Sequence, residues 1–187
     1  MTLILAAKTK DGIIMAGDRY EGGDMAKHLC VMPKIADKDG ILLGAAGNSL
    51  QCLVLIDLMI LPERKPHQDV LSYIIYSLAP NILLELEAAK VYNPREEAPK
   101  EQKLEVEILI GIDGRIFELG FGGDTLQNCV EVNTVGAVGC AVPEALATYK
   151  ALGKISKASV KTKILTTMSA IEETNAYVSY PFDLLEI

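Results

Sequence analysis

The sequence predicts an α+β fold, a four-layer αββα sandwich of two antiparallel sheets flanked by helices, formed as one domain over residues 1–187. Three observations predict it. The elements run strands, two helices, strands, two helices and a final strand, and helices grouped in pairs suit an antiparallel sheet core better than a doubly wound parallel sheet. The first strands carry apolar residues on both sides, the pattern of a sheet covered on both faces. A chain of 187 residues with 50% hydrophobic content is large enough to bury a full core.

The first two strands are Thr2 to Thr9 and Gly12 to Ala16, joined at Lys10-Asp11-Gly12, with aliphatic and β-branched residues around a turn signal. After the loop Glu21-Gly22-Gly23-Asp24, a second pair is predicted, His28 to Ala36 and Ile41 to Ala45, turning at Lys38-Asp39-Gly40. Asn48-Ser49 supplies side-chain oxygens for the orphan N–H groups of a helix that runs to about Leu61, where Pro62 stops it. Apolar residues at helical spacing predict a longer helix from about Gln68 to Tyr92, kinked at Pro80. A polar connector, Asn93 to Lys103, leads to a meander: Leu104 to Ile112, the turn Asp113-Gly114, Arg115 to Gly120, and a strand near Val130 to Val138. Gly120-Phe-Gly122-Gly123-Asp124 lacks the Gly-Lys-Ser/Thr of a phosphate loop and is read as a turn. Pro143 fits the first turn of a helix through Leu152, Ser156 to about Thr174 forms another, and Phe182 to Ile187 closes a sheet edge.

Composition excludes several function classes. A net charge of −7 and a pI near 4.9 oppose a nucleic-acid partner, because phosphate binding needs a basic surface. The apolar stretches are broken by charge and the start MTLILAAKTK has no signal-peptide pattern, which predicts a cytoplasmic protein with no membrane partner. Cys30, Cys52, Cys129 and Cys140 form no CxxC pair, and His28 and His67 are isolated, so no metal is expected, and the threonine chemistry of Thr2 needs no cofactor.

The chemistry centres on Thr2. Loss of Met1 would give this residue a free α-amine beside its hydroxyl, and a threonine hydroxyl needs such a base within reach to become a nucleophile. An α-amine titrates at about 7.7–8.0, so part of it is neutral near physiological pH. Asp18-Arg19 and Lys34 follow at spacings that can return them to the chain start, Asp18 lying midway in sequence between Thr2 and Lys34. An ammonium beside the Thr2 hydroxyl would favour its ionised form, and a carboxylate would hold that ammonium.

The run from Thr2 through Gly12 to Asp18-Arg19, then Pro33-Lys34-Ile35, then Leu43-Gly44-Ala-Ala-Gly47-Asn48, resembles the amino-terminal half of proteasome β-subunits and of the peptidase HslV, both amino-terminal-nucleophile hydrolases. Val138-Gly139-Cys140-Ala141-Val142-Pro143 is similar to the family's glycine-serine-glycine turn before a helix. The resemblance implies Thr2 as nucleophile, Asp18 and Lys34 as its acid–lysine pair, and the N–H of Gly44 as the oxyanion-hole donor. Arg19, Cys140 and Asn175 take supporting positions. Cys140 stands where the family has serine, and Asn175 and Val178 where proteasome subunits have aspartate and serine. Met32, Ala36 and Leu42 are implied as the first specificity pocket, with Glu21 at its edge, which favours cleavage after a hydrophobic residue. The implied activity is a threonine endopeptidase in a homo-oligomeric ring, acting on peptides or unfolded proteins, with an unfoldase ATPase as partner. Two alternatives stay open: a same-fold peptide transferase or ligase, and a non-catalytic subunit of a proteasome-like assembly.

Overall fold

Strand alternation decides which core each side chain enters. In β1 (Leu3–Lys8) and β2 (Ile13–Asp18), Leu3, Leu5, Ile14 and Ala16 face one apolar cluster, whereas Ile4, Ala6, Ile13 and Met15 face another. In β6 (Ile41–Gly47) and β7 (Val106–Ile112), Leu43, Ala45, Ile108 and Ile110 enter a third cluster, and Leu42 and Leu109 turn to the one shared with Ile4 and Met15. Three cores stacked in this way require two sheets face to face, each covered outside by helices. This is the αββα sandwich expected from the sequence.

The computed structural model describes residues 2–23, 26–30, 32–95, 99–122 and 125–187. With β10 (Val135–Gly139) and β11 (Phe182–Glu186), the first sheet runs antiparallel in the order β10-β1-β2-β11. With β5 (Ile35–Lys38), β8 (Arg115–Gly122) and β9 (Thr125–Val132), the second runs β5-β6-β7-β8-β9. A separate hairpin pairs β3 (Tyr20–Gly23) with β4 (Ala26–Leu29). Helices Ser49–Leu58 and Val70–Ala88 cover the second sheet, and Val142–Ile155 and Val160–Thr174 cover the first. Val70–Ala88 has the length and apolarity of a membrane span, but it lays Tyr73, Ile74, Leu78, Ile82 and Leu86 into the core over the second sheet.

Several boundaries differ from the sequence reading, each for a local reason. The strand expected over His28 to Ala36 is two: β4 ends at Leu29 and β5 begins at Ile35, with Pro33, which has no N–H to give a ladder, between them. The strand expected over Val130 to Val138 also divides, between β9 and β10 in different sheets. Phe121 and Gly122, expected in a turn, extend β8 and pair with Leu126 and Thr125; Gly123 and Asp124 lie outside the described residues. The first helix stops at Leu58 rather than Leu61: Met59 is already extended, with ψ 131°, and its carbonyl accepts the Lys38 ammonium at 2.8 Å. The second is accommodated to Pro80 by a π turn over Ile74–Leu78, in which the Ala79 N–H reaches back five residues to the Ile74 carbonyl. It begins at Val70, capped by Asp69, and ends at Ala88. The third helix runs on to Ile155, and the fourth starts at Val160, capped by the Ser159 hydroxyl.

Candidate active site

Thr2 enters the fold just ahead of β1 and is 8% exposed. Its position is fixed from both sides. The next N–H, of Leu3, donates to Asp18 Oδ1 at 2.8 Å, and the Thr2 carbonyl accepts the Cys140 N–H at 2.8 Å. The second contact needs Gly139, which has φ +109° and whose place a Cβ cannot take, since it would lie 1.9 Å from the Thr2 carbonyl oxygen. Cys140 thus supports Thr2 through its main chain. Met1, and with it the state of the Thr2 amine, lies outside the described residues.

Asp18 ends β2 with no exposed surface. One carboxylate oxygen accepts from Leu3, the other from the Tyr20 N–H at 3.0 Å, and both face the Lys34 ammonium at 3.3 and 3.2 Å. Lys34 Nζ also donates to the Tyr20 carbonyl. Burial pushes the Asp18 carboxyl above its ordinary range, against the opposing pull of Lys34 and of the two N–H donors. Arg19, next in sequence, turns elsewhere: its Nε donates to both carboxylate oxygens of Asp183 at 2.8 Å, and its carbonyl takes the Cys30 N–H at 2.7 Å. It ties the end of β2 to β11.

Gly44 does not lie at this site. It sits mid-strand between Ile35 and Leu109, and a Cβ there would meet Ile4 Cγ2 at 2.8 Å and Met15 Sδ at 3.2 Å, so the missing side chain lets the two sheets approach. Gly47, three residues on, lines the cleft beside Thr2 and Lys34 instead. The Ala45 N–H donates to the Lys34 carbonyl at 3.2 Å, and strand alternation turns the Gly47 N–H to the same edge, beyond the start of β5. Gly47 has φ +130°, and a Cβ would fall 1.9 Å from the Glu105 carbonyl oxygen, so only glycine fits.

Thr2 and Gly47 line two clefts. The first, about 250 Å³, is walled by Tyr20, Cys30, Met32, Lys34 and Leu53 among others. The second, about 460 Å³, is bordered by Glu105, Glu107, Phe121 and Cys140, and the Gly139 N–H holds the Glu107 carboxylate at 2.9 Å. Of the expected pocket residues only Met32 lines the first cleft. Leu42 is fully buried between the sheets, and Ala36 packs against the helix-side core. The Glu21 side chain lies outside the described part. Asn175 does not brace the chain start: its Oδ1 accepts the Tyr177 N–H at 2.9 Å, Val178 is buried in the core, and Ser179 bonds Glu172 at 3.2 Å. Sequence reasoning missed Gly47 and Tyr20. The glycine directly before the Asn48 cap was the available signal for the first.

No family model and no curated protein matches the chain by sequence. Solved structures match it along its length. BPH of Thiobacillus denitrificans, in a complex with epoxomicin, superposes with a TM-score of 0.72 at 14% identity, covering 99% of this chain and 97% of that one. HslV of Trypanosoma brucei gives 0.68 at 14% identity, with 98% of each chain covered. Anbu of Yersinia bercovieri gives 0.66 at 15% identity, over 98% of this chain and 80% of that one. The chain has the fold of these proteasome β-like proteins, the amino-terminal-nucleophile hydrolase fold.

Proposed function

We propose that this protein is an amino-terminal threonine peptidase, with Thr2 as nucleophile once Met1 is removed. One observation carries the reading: Thr2, Lys34 and Gly47 line a common cleft, and Lys34 is held there by the buried carboxylate of Asp18. The Thr2 α-amine takes the hydroxyl proton as Oγ1 attacks a peptide carbonyl, and the Lys34 ammonium favours the developing alkoxide. The Gly47 N–H receives the oxyanion, a donor whose loss costs about 3 kcal/mol in comparable sites. The amine then returns its proton to the departing amine of the substrate. Water attacks the acyl ester, gives its proton to the same nitrogen, and releases the acid while Thr2 recovers its hydroxyl. The working assembly in this reading is a cytoplasmic homo-oligomeric ring around the sites, supplied with unfolded protein by an ATPase.

Intact mass of the purified protein before and after an epoxyketone tests it. The expected result is a chain lacking Met1 that gains the mass of one inhibitor. A chain that keeps Met1 and gains nothing overturns the reading.

The clefts also suggest which peptides are cut best. An apolar residue suits the cleft of Tyr20, Met32 and Leu53, and a cation suits the exposed carboxylates of Glu105 and Glu107 across the nucleophile. Peptides with a hydrophobic residue before the scissile bond and lysine after it are expected to be cut about two- to tenfold faster than the glutamate counterparts, the scale of exposed charge pairs. Equal kcat/KM values for the two series would remove the charge preference.

A further inference from the structure

The geometry points to Gln51 as a positioning residue for the Gly47 N–H, an inference that rests on the peptidase reading above. Gln51 is a polar side chain with no exposed surface, one helical turn beyond Gly47. Its two amide hydrogens go to backbone carbonyls at either end of one connector, Val91 at 3.1 Å and Lys103 at 2.7 Å. Its Oε1 accepts the Glu105 N–H at 3.0 Å. The Glu105 carbonyl in turn takes the Asn48 N–H at 2.7 Å, and Asn48 Oδ1 caps the N–H groups of Leu50 and Gln51 at 3.0 and 3.3 Å.

These bonds close a loop in space. Gly47 leaves β6, Asn48 is tied to Glu105, and Gln51 ties the helix start to both ends of the connector that delivers Glu105. The peptide plane carrying the Gly47 N–H is Ala46–Gly47, in the strand where Ala46 pairs with Glu107 and Gly47 with Val106, and the next plane, Gly47–Asn48, is the one this loop ties to Glu105. The two planes meet at Gly47, whose φ of +130° turns the chain from strand to helix, so the direction of the first is coupled to where the helix start is held. An oxyanion donor must be aimed before the oxyanion forms, so a small rotation costs transition-state binding and leaves substrate binding almost untouched. Gln51 touches neither substrate nor Thr2 in this role. It acts through Gly47.

Gln51→Leu removes every one of its amide's bonds. In the assembled protein the variant is expected to lower kcat about 10- to 100-fold, short of full donor loss, with KM changed less than about threefold. A peptide boronate, whose adduct with the Thr2 hydroxyl places an oxygen at Gly47, should lose affinity by the same factor as kcat/KM. Amide hydrogen exchange should quicken in 47–51 and in 103–105. A folded variant that keeps kcat and boronate affinity within about twofold overturns the assignment, even if its melting temperature falls. Gln51→Glu decides the matter should the leucine variant not fold: only the protonated form of the introduced carboxyl can donate to a facing carbonyl, so its kcat relative to the parent protein should climb on acidification. A flat ratio overturns it. If the parent protein itself neither cleaves peptides nor takes up an epoxyketone, the peptidase reading has failed. Exchange then judges the clamp alone, and unchanged protection of 47–51 in the leucine variant rejects it.

Discussion

Thr2→Ala is expected to reduce peptide turnover by about 10⁴-fold or more, to the background, because a chain has one α-amine and only its first residue can carry a hydroxyl beside it. The fold should survive. The contacts that seat this residue belong to the main chain, namely the Leu3 N–H to Asp18 and the Thr2 carbonyl to the Cys140 N–H, and alanine keeps both. The melting temperature therefore changes little, as expected of a substitution that removes only two heavy atoms at a cleft wall. Thr2→Ser keeps the hydroxyl and is expected to keep measurable turnover. Peptide hydrolysis, epoxyketone adduct mass and thermal unfolding, measured on the three proteins together, separate lost chemistry from lost structure. Full turnover by a folded alanine variant would remove Thr2 from the mechanism.

Residues placed by one strand or one hairpin were legible in the sequence, and those placed by the distance between layers were not. Thr2, Asp18 and Lys34 sit at strand ends, and the turns that return those ends to one edge carry their own glycine signals. Gly44 and Gly47 look alike in sequence, since both are glycines of one strand three residues apart. Only the approach of Ile4 and Met15 from the opposite sheet reveals that Gly44 serves packing, and only the start of β5 at Ile35 reveals that Gly47 faces the cleft. Leu42 and Ala36 fail for the same reason: their faces depend on which strands flank them, and one reaches the inter-sheet core while the other packs under the helices. Asn175 was placed by resemblance alone, and a local turn to Tyr177 takes its side chain. The layer order was recoverable because runs of apolar residues on both strand faces have few other uses.

Lys34→Ala is expected to lower kcat about 10²- to 10⁴-fold, the range for loss of a group that stabilises charge or assists proton transfer in the transition state. Loss of a lone lysine usually leaves folding intact, because the charge is solvated, but here the lysine faces a carboxylate with no exposed surface. Removing one partner of a buried pair costs about 3–5 kcal/mol when the other must stay charged, and less when that carboxyl can take up a proton. Lys34→Arg keeps the charge against Asp18 and should recover stability more than activity, because a planar guanidinium cannot reproduce a compact ammonium at the nucleophile. Asp18 supplies the second readout. Burial holds its carboxyl above the ordinary 3.8, so it binds its proton more tightly in the fold than in the unfolded chain. The stability this adds is complete below 3.8 and is lost as pH rises through the higher folded value. Asp18→Asn cannot titrate, so the stability of the parent protein relative to this variant should fall as pH climbs through that window, measured by urea midpoints at successive pH values. The opposite slope would mean that the pull of Lys34 outweighs burial and that Asp18 is held as a carboxylate below its ordinary value. Lys34 would then act first as a structural counter-ion, and the arginine variant would restore activity together with stability.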